Sequence, residues 1–183
     1  MSRKTQMFQT ERLYVRLLTA EDFQFLHTMQ SDPAVMRYVG GSQDEAGNRA
    51  DLEKILSHYA SGDGSFLVWA VIQRSDDALV GTCALIINEH DEHEIGYRLM
   101  ESYWGNGFGL EVTEGLVRYA FEERHIDQLV AYVDKENVPS VRILDRSSFL
   151  FDKEYYNEDL KCTDRRYSLT RIQWSNENDS NAC

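Results

Sequence analysis

Three glycines alternate with larger residues in one short segment, and this spacing could bind a phosphate group. The segment reads Trp104, Gly105, Asn106, Gly107, Phe108, Gly109 and Leu110. Glycines without a Cβ atom let successive backbone N–H groups point into a common hollow. The segment lies between a predicted strand and a predicted amphipathic helix, whose first turn adds unpaired N–H groups and the positive end of the helix dipole. The pattern therefore predicts a diphosphate-binding loop, and its alternative interpretation is a flexible turn.

Two common phosphate-binding loops do not match this segment. A nucleoside-triphosphate loop needs lysine and then serine or threonine after its last glycine, but Leu110 follows Gly109. A dinucleotide-binding loop has its third glycine where Leu110 stands and lies early in a parallel sheet. The pattern that remains is Gln/Arg-x-x-Gly-x-Gly/Ala, with Trp104 in its first position.

Four short motifs occur together in this chain. They read Thr-Glu-Arg-Leu from residue 10, Glu-Ile-Gly-Tyr from residue 94, Tyr-Trp-Gly-Asn-Gly from residue 103 and Asn-Val-Pro-Ser from residue 137. Taken together they resemble the GNAT superfamily of acyl-coenzyme-A-dependent N-acetyltransferases, within it the branch of ribosomal-protein alanine and serine N-terminal acetyltransferases. The resemblance covers about Thr10 to Ile172. It implies an α/β (α+β) fold, with a mixed, mostly antiparallel central sheet flanked by helices and a V-shaped splay between the fourth and fifth core strands.

The resemblance also implies a co-substrate, acetyl-coenzyme A, and no metal. The backbone of Leu99 and Met100 and the loop from Trp104 to Leu110 would bind it, and Asn137 would contact its pantetheine arm. One departure concerns catalysis, because Leu144 replaces the tyrosine that many members place seven residues after the asparagine. The ribosomal branch instead uses a serine three residues after the asparagine, which corresponds to Ser140.

Acetyl transfer to an amine requires three roles to be filled. The amine must be neutral to attack, the developing oxyanion needs hydrogen-bond donors, and the departing thiolate must be stabilised or protonated. We expect Glu94 to accept the amine proton, directly or through water, and Ser140 to donate to sulfur. A backbone N–H near Leu99 or Met100 would polarise the thioester carbonyl, and we expect the attack to be direct.

Each of these residues also has a purely structural interpretation. Glu94 could be the exposed member of an alternating strand, and Ser140 could cap or begin a helix after Pro139. Asn137 could end a strand through turn chemistry. A polar hairpin explains the cluster at residues 90–93 (His-Asp-Glu-His) better than a metal site does. We expect Cys83, between apolar neighbours, to be a buried small residue and not an acyl carrier.

Length and composition limit the remaining classes. The 183 residues predict one N-acetyltransferase domain at 1–174 and a polar, disordered tail at 175–183. A formal charge of -12 disfavours nucleic acid and anionic membranes as partners and favours cationic acceptors. Three cysteines without metal-ligand spacing favour neither disulfides nor zinc, which fits a cytoplasmic protein. The longest apolar run is too short to span a membrane.

Hydrophobic periodicity predicts the order of the elements that position these residues. A first strand around residues 13–17 precedes two helical stretches, and three strands then follow at 66–73, 79–87 and 93–100. The glycine loop begins a helix that ends near Arg124. A strand at 128–133, a short helix near 140–146 and strands at 149–156 and 166–172 complete the chain.

These observations lead to one leading function and one alternative. We expect the protein to transfer acetyl from acetyl-coenzyme A to a primary amine, either a protein N-terminus or a small cationic, polyamine-like molecule. The alternative is a coenzyme-A-binding or regulatory module without efficient catalysis, which the leucine at 144 supports. The oligomeric state is left open.

Overall fold

The computed structural model describes residues 6–181, in which one mixed sheet carries helices on both faces. The strands are β1 (Gln6–Gln9), β2 (Leu13–Leu17), β3 (Phe66–Gln73), β4 (Leu79–Ile87), β5 (His93–Leu99), β6 (Gln128–Asp134), β7 (Leu150–Asn157) and β8 (Cys162–Thr170). The helices are α1 (Phe23–Gln30), α2 (Pro33–Met36), α3 (Glu45–Ser61), α4 (Phe108–Arg118), α5 (Val138–Arg146) and α6 (Arg171–Asn181). A π-helical turn, Tyr119–Glu123, extends α4. The predicted mixed α/β fold is confirmed.

The sheet has the strand order β1-β2-β3-β4-β5-β6-β8-β7, and its pairs are antiparallel except for β5 and β6. That parallel pair is registered at one position, Glu94 opposite Val130. The β4–β5 ladder, in contrast, runs continuously from Gly81 opposite Leu99 to Ile87 opposite His93. Because the shared position lies near the start of both β5 and β6, the two strands separate toward their C-terminal ends. The expected splay lies between these two strands.

Each face of the sheet has its own apolar core. These cores show which side chains of β5 point to which face. On one face Ile95 and Leu99 pack into a cluster that includes residues of α4 and α5. On the other face, α1 and α3 bury residues such as Leu26 and Ile55 against β3. Since side chains alternate along a strand, Tyr97 faces α4 and α5, whereas the even-numbered residues of β5 face α1 and α3.

The structure differs from the sequence prediction at both ends of the chain. Strand β1 was not predicted, because its pairing with β2 along the sheet edge is a tertiary contact that periodicity does not encode. The segment 175–183, predicted as a disordered tail, is helical in α6 as far as Asn181, and residues 182 and 183 lie outside the described residues. Trp174 stabilises the start of this helix, since its ring lies 5.5 Å from that of Phe121. No helix within residues 6–181 is long and apolar enough to cross a membrane.

Candidate active site

The glycine loop has the backbone conformation that a phosphate-binding hollow requires. Gly105 and Gly107 have positive φ angles of 74° and 81°, which residues with a Cβ atom rarely adopt. Gly107 is the N-cap of α4, so the N–H groups of the next three residues have no partner within the helix. A Cβ atom built on Gly105 would meet nothing within 4 Å. The loop therefore leaves open space beside its unpaired donors.

An arginine that the sequence analysis did not single out lies beside this loop. Arg12 donates from Nη1 to the carbonyl of Asn106 at 2.9 Å and from Nε to Oε2 of Glu111 at 2.7 Å. Its Nη2 atom lies 3.3 Å from the position that a Cβ of Gly107 would take. A positive side chain therefore borders the hollow, although the chain as a whole is strongly acidic.

Glu111, in the first turn of α4, attaches this arginine and the preceding turn to the loop. Its carboxylate accepts from the Thr10 hydroxyl at 2.5 Å and from the Arg12 backbone N–H at 2.7 Å. Burial alone would raise the pKa of Glu111, but the hydrogen bonds from Thr10 and Arg12 hold that pKa below its ordinary value. Glu111 is therefore held in its ionised form, and its carboxylate joins the turn before β2 to the glycine loop.

The end of β5 supplies backbone groups to the splay. The Met100 N–H donates to the carbonyl of Val80, which belongs to β4, at 2.9 Å. Because an antiparallel ladder alternates the side to which its donors point, the N–H groups of Tyr97 and Leu99 face the gap toward β6. The Leu99 carbonyl accepts from the indole N–H of Trp104 at 2.8 Å. Of the two predicted backbone positions, Leu99 directs its N–H into the splay and Met100 uses its N–H within the sheet.

Asn137 and Ser140 lie together at the start of α5. Asn137 is the N-cap, and its side chain accepts from the Ser140 backbone N–H at 3.4 Å. This capping contact leaves the Ser140 hydroxyl available, and its Oγ lies 3.4 Å from Oη of Tyr97. Leu144, at the position where the resemblance would lead one to expect a tyrosine, is buried. The phenol near Ser140 thus comes from β5.

Glu94 and Ser140, the two predicted catalytic residues, line one cavity of about 560 Å³ that also borders Tyr97. The described residues that line this cavity include none of the glycine loop, but Gly109 packs against Tyr97, since a Cβ there would lie 3.0 Å from the Tyr97 hydroxyl. Asn88 donates to Oε2 of Glu94 at 3.1 Å.

The surroundings of Glu94 favour the protonated form of its carboxyl group. Burial raises the pKa of Glu94 above its ordinary value, and the negative charges of Glu89, Glu92 and Asp164 raise it further. The hydrogen bond from Asn88 only partly offsets these effects. A carboxylate with a raised pKa in a cavity is a candidate general base.

Two other sequence candidates have structural roles. Cys83 is buried, and desolvation raises the pKa of its thiol, so it is held in the unreactive protonated form. Residues 90–93 form a polar hairpin in which Asn88 accepts from the backbone N–H of His90 and Glu92, at 3.0 Å each. Glu92 is paired with Arg166. Among the described residues, no group of three or more His, Cys, Asp or Glu side chains is arranged to hold a metal ion.

Arg98 is a further cavity residue that sequence reasoning missed. It lies on β5 four residues after Glu94, and both side chains line the cavity. Burial lowers the pKa of Arg98, and the charge of Asp51 on α3 opposes that shift. The signal in the sequence was the alternation of β5, which places Glu94, Gly96 and Arg98 on one face.

Comparison with known sequences identifies the family of this chain. The family model of the acetyltransferase (GNAT) domain matches residues 12–149. The chain is 32% identical to the uncharacterized N-acetyltransferase p20 of Bacillus licheniformis over 143 residues, which are 76% of this chain and 80% of that protein.

Solved structures show the same fold. A GNAT-family acetyltransferase from Bacillus anthracis has a TM-score of 0.78 at 22% identity, covering 90% of this chain and 98% of that one. A candidate ribosomal-protein-serine acetyltransferase from Vibrio cholerae has a TM-score of 0.73 at 20% identity, covering 93% and 99%. Because the domain model extends from Arg12, just before β2, to Phe149, just before β7, and so spans the loop and most of the cavity, the chain belongs to the GNAT family of acetyltransferases.

Proposed function

We propose that this protein transfers the acetyl group of acetyl-coenzyme A to a primary amine by direct attack. The observation that carries the proposal is the shared cavity of Glu94 and Ser140, which meets the glycine loop at Tyr97. Glu94 offers a proton acceptor and Ser140 offers a hydroxyl. This is the pair of groups that moving an acetyl group from sulfur to nitrogen requires.

The residues around the loop suit a coenzyme A diphosphate. The N–H groups of Phe108, Gly109 and Leu110 would donate to phosphate oxygens, and Arg12 would supply a positive charge beside them. Asn137 and the backbone of Leu99 would flank the pantetheine arm. When bound, acetyl-coenzyme A supplies the thioester from which acetyl is taken.

Glu94 would hold the proton that the acceptor loses. A primary amine binds as an ammonium ion near neutral pH, and it must give up one proton before its nitrogen can form the new bond to the acetyl carbon. The buried carboxylate of Glu94, with its raised pKa, accepts that proton directly or through water. The second proton leaves the nitrogen to water once the N–C bond has formed, and water returns one proton to the Ser140 and Tyr97 pair that protonates the sulfur, so one proton is released in all.

Ser140 and Tyr97 would assist the departure of the sulfur. As the C–S bond breaks, its electron pair stays on sulfur, and the Ser140 hydroxyl donates a proton to it. Tyr97 lies within reach of Ser140 and can return that proton to the serine or orient its hydroxyl. The backbone N–H groups of Tyr97 and Leu99 face the gap where a carbonyl oxygen would gain negative charge.

The acid-rich surroundings of the cavity favour a cationic acceptor. Its lining includes five carboxylates: Asp51, Glu89, Glu94, Asp134 and Asp164. The net charge of -12 also attracts cations over longer distances. A protein N-terminus, as in the ribosomal branch, and a small polyamine-like molecule both satisfy this requirement.

The proposal is tested by incubating the purified chain with acetyl-coenzyme A and a panel of peptides and small amines. Thiol release and the intact mass of each acceptor are followed together. We expect thiol release in step with a gain of one acetyl group on at least one acceptor. Binding of coenzyme A without acetylation of any amine would instead favour the non-catalytic binding module.

A further inference from the structure

The cavity holds a buried positive charge that the protein itself does not pair. Arg98 is mostly buried, yet within residues 6–181 its guanidinium makes neither a hydrogen bond nor an ion pair. A guanidinium carries five donors and a full charge, and those of Arg98 are accessible from the cavity. A ligand in the cavity that carries hydrogen-bond acceptors can therefore reach them.

A second residue of the lining has the opposite deficiency, an acceptor without a donor. Gln30 on α1 is 3% exposed and lines the cavity, and its amide nitrogen donates to Oδ2 of Asp51 at 3.2 Å. Its Oε1 atom is buried without a hydrogen-bond partner among the described residues. The wall formed by Arg98, Gln30 and Asp51 is therefore polar and incompletely satisfied, which is unusual for a site with no structural or ligand-binding purpose.

Glu94 and Arg98 carry opposite charges at different points of the cavity. Around Glu94 the neighbouring carboxylates Glu89, Glu92 and Asp164 act on it. Lys54, another cation of the lining, lies toward the Glu94 side, since its Nζ is 4.4 Å from the centre of the Phe66 ring and Phe66 is in register with Glu94 across β4. Asp51 acts on Arg98. A ligand with an ammonium near Glu94 and a carboxylate at Arg98 would match these two groups.

The floor of the cavity between these two groups is open. Glu94 and Arg98 lie four residues apart on one face of β5, which is roughly 13 Å along the strand. Gly96 lies between them, and a Cβ atom there would meet nothing within 4 Å. An acceptor can therefore lie along the strand, between the proton acceptor and the guanidinium.

We propose that Arg98 is a specificity-determining residue that binds a carboxylate of the acceptor, so that the preferred acceptors are amines that also carry a carboxylate. The planar guanidinium can donate two parallel hydrogen bonds to the two oxygens of a carboxylate. An ammonium has no acceptor atom, and an amide has a single oxygen, so neither can accept such a pair. A polyamine carries only donors, so it leaves Arg98 unpaired. This inference rests on the proposed acetyl transfer.

Matched acceptors test the proposal in the full chain. The probes are glycine, β-alanine and 4-aminobutanoate, each compared with its own amide and with a diamine of equal length. We expect kcat/KM for at least one amino acid to exceed that of its amide by about tenfold or more, since charge-assisted pairs are the stronger ones. The amides also represent a peptide N-terminus, which has an amide at the same position.

Variants separate the role of Arg98 from a general effect on the fold. For Arg98→Met, we expect kcat/KM for each amino acid to fall close to kcat/KM for its amide, mainly because KM for the amino acid rises. Coenzyme A binding should be unchanged. Arg98→Lys should retain part of the preference. Arg49→Met, on an exposed part of α3, removes one positive charge outside the cavity and should leave the ratio unchanged.

A second readout does not depend on turnover. Calorimetry with coenzyme A present should detect binding of the N-acetylated amino acid to the unaltered chain and a loss of about tenfold or more in Arg98→Met. Acetylation of amides or diamines as fast as carboxylates would overturn the role of Arg98 while leaving acetyl transfer intact. No acetylation of any amine would overturn the proposed function and, with it, this inference.

Discussion

The hydroxyl of Tyr97 lies 3.4 Å from the hydroxyl of Ser140, and the two residues come from β5 and α5, on opposite sides of the splay. This pair gives the site a phenol although position 144, where the resemblance implied a tyrosine, is leucine. Burial raises the pKa of Tyr97, so its hydroxyl stays protonated near neutral pH and can donate. In the proposed reaction, this pair protonates the leaving sulfur.

Removing either hydroxyl should slow the chemical step. We expect Ser140→Ala to lower kcat by about 10² or more and Tyr97→Phe to lower it less, because Tyr97 acts through Ser140. Steady-state kinetics and calorimetric titration with coenzyme A measure the two effects separately, and affinity should stay within about twofold in both variants. Since the two groups act as a unit, the double variant should lose less than the product of the single losses. Fully multiplicative losses would contradict the coupling.

Replacing Glu94 should change the pH dependence of the reaction. We expect kcat/KM of the unaltered chain to rise as Glu94 loses its proton, with a midpoint above the ordinary glutamate pKa. Glu94→Gln should lose this step and about 10² to 10⁴ in rate. Glu89→Gln, an exposed change, removes one of the charges that raise the pKa of Glu94, so the midpoint should move to lower pH. An identical profile in all three proteins would exclude Glu94 as the base.

A charge placed in the loop should prevent coenzyme A binding. Gly107→Glu introduces both a Cβ at φ 81° and a negative group where phosphate oxygens are expected. Gly62→Glu is the matched control, because Gly62 also has positive φ, at 69°, but ends α3 in open space. Both variants should lose similar stability in thermal melts, whereas only Gly107→Glu should lose coenzyme A affinity. Undiminished binding in that variant would show that another segment binds the diphosphate.

Glu111 should make stability depend on pH. Its folded-state pKa lies below the ordinary value, so its contribution is present above that value and is lost as pH falls through the lower, folded-state pKa. Glu111→Gln should cost about 2 kcal/mol of unfolding free energy near neutral pH and progressively less in acid. Denaturant titrations of this variant and of Glu114→Gln, an exposed change on the same helix, measure the difference. A constant difference across pH would mean that the Thr10 and Arg12 contacts do not depend on ionisation.

Much of the fold was predictable because its elements are strongly patterned. Strands such as Phe66–Gln73 and Leu79–Ile87 consist of β-branched and apolar residues, and the α4 helix has one continuous apolar stripe. Helix α6 was missed because its sequence is mainly polar, and contacts such as Trp174 with Phe121 join residues distant in sequence. Hydrophobic periodicity predicts a helix or strand well only where the segment itself alternates apolar and polar residues or is continuously apolar.

Local conformation at the candidate site was predictable where one motif holds it. The glycine loop and the pair Asn137 and Ser140 are local, so their spacing predicted a glycine turn before α4 and the start of α5, whereas diphosphate binding stays a prediction. Arg12 and Arg98 were missed because their importance depends on residues far away in sequence. Arg12 borders the loop about 95 residues later, and Arg98 gains its significance from a cavity that residues of α1 and α3 help to line.

The most direct test of the central claim is calorimetric titration of the purified chain with acetyl-coenzyme A, coenzyme A and NAD. The account predicts saturable binding of both coenzyme A compounds and none of NAD, because the loop at 104–110 fits a coenzyme A diphosphate and lacks the third glycine of a dinucleotide loop. Absence of binding to either coenzyme A compound, or equal binding of NAD, would contradict it.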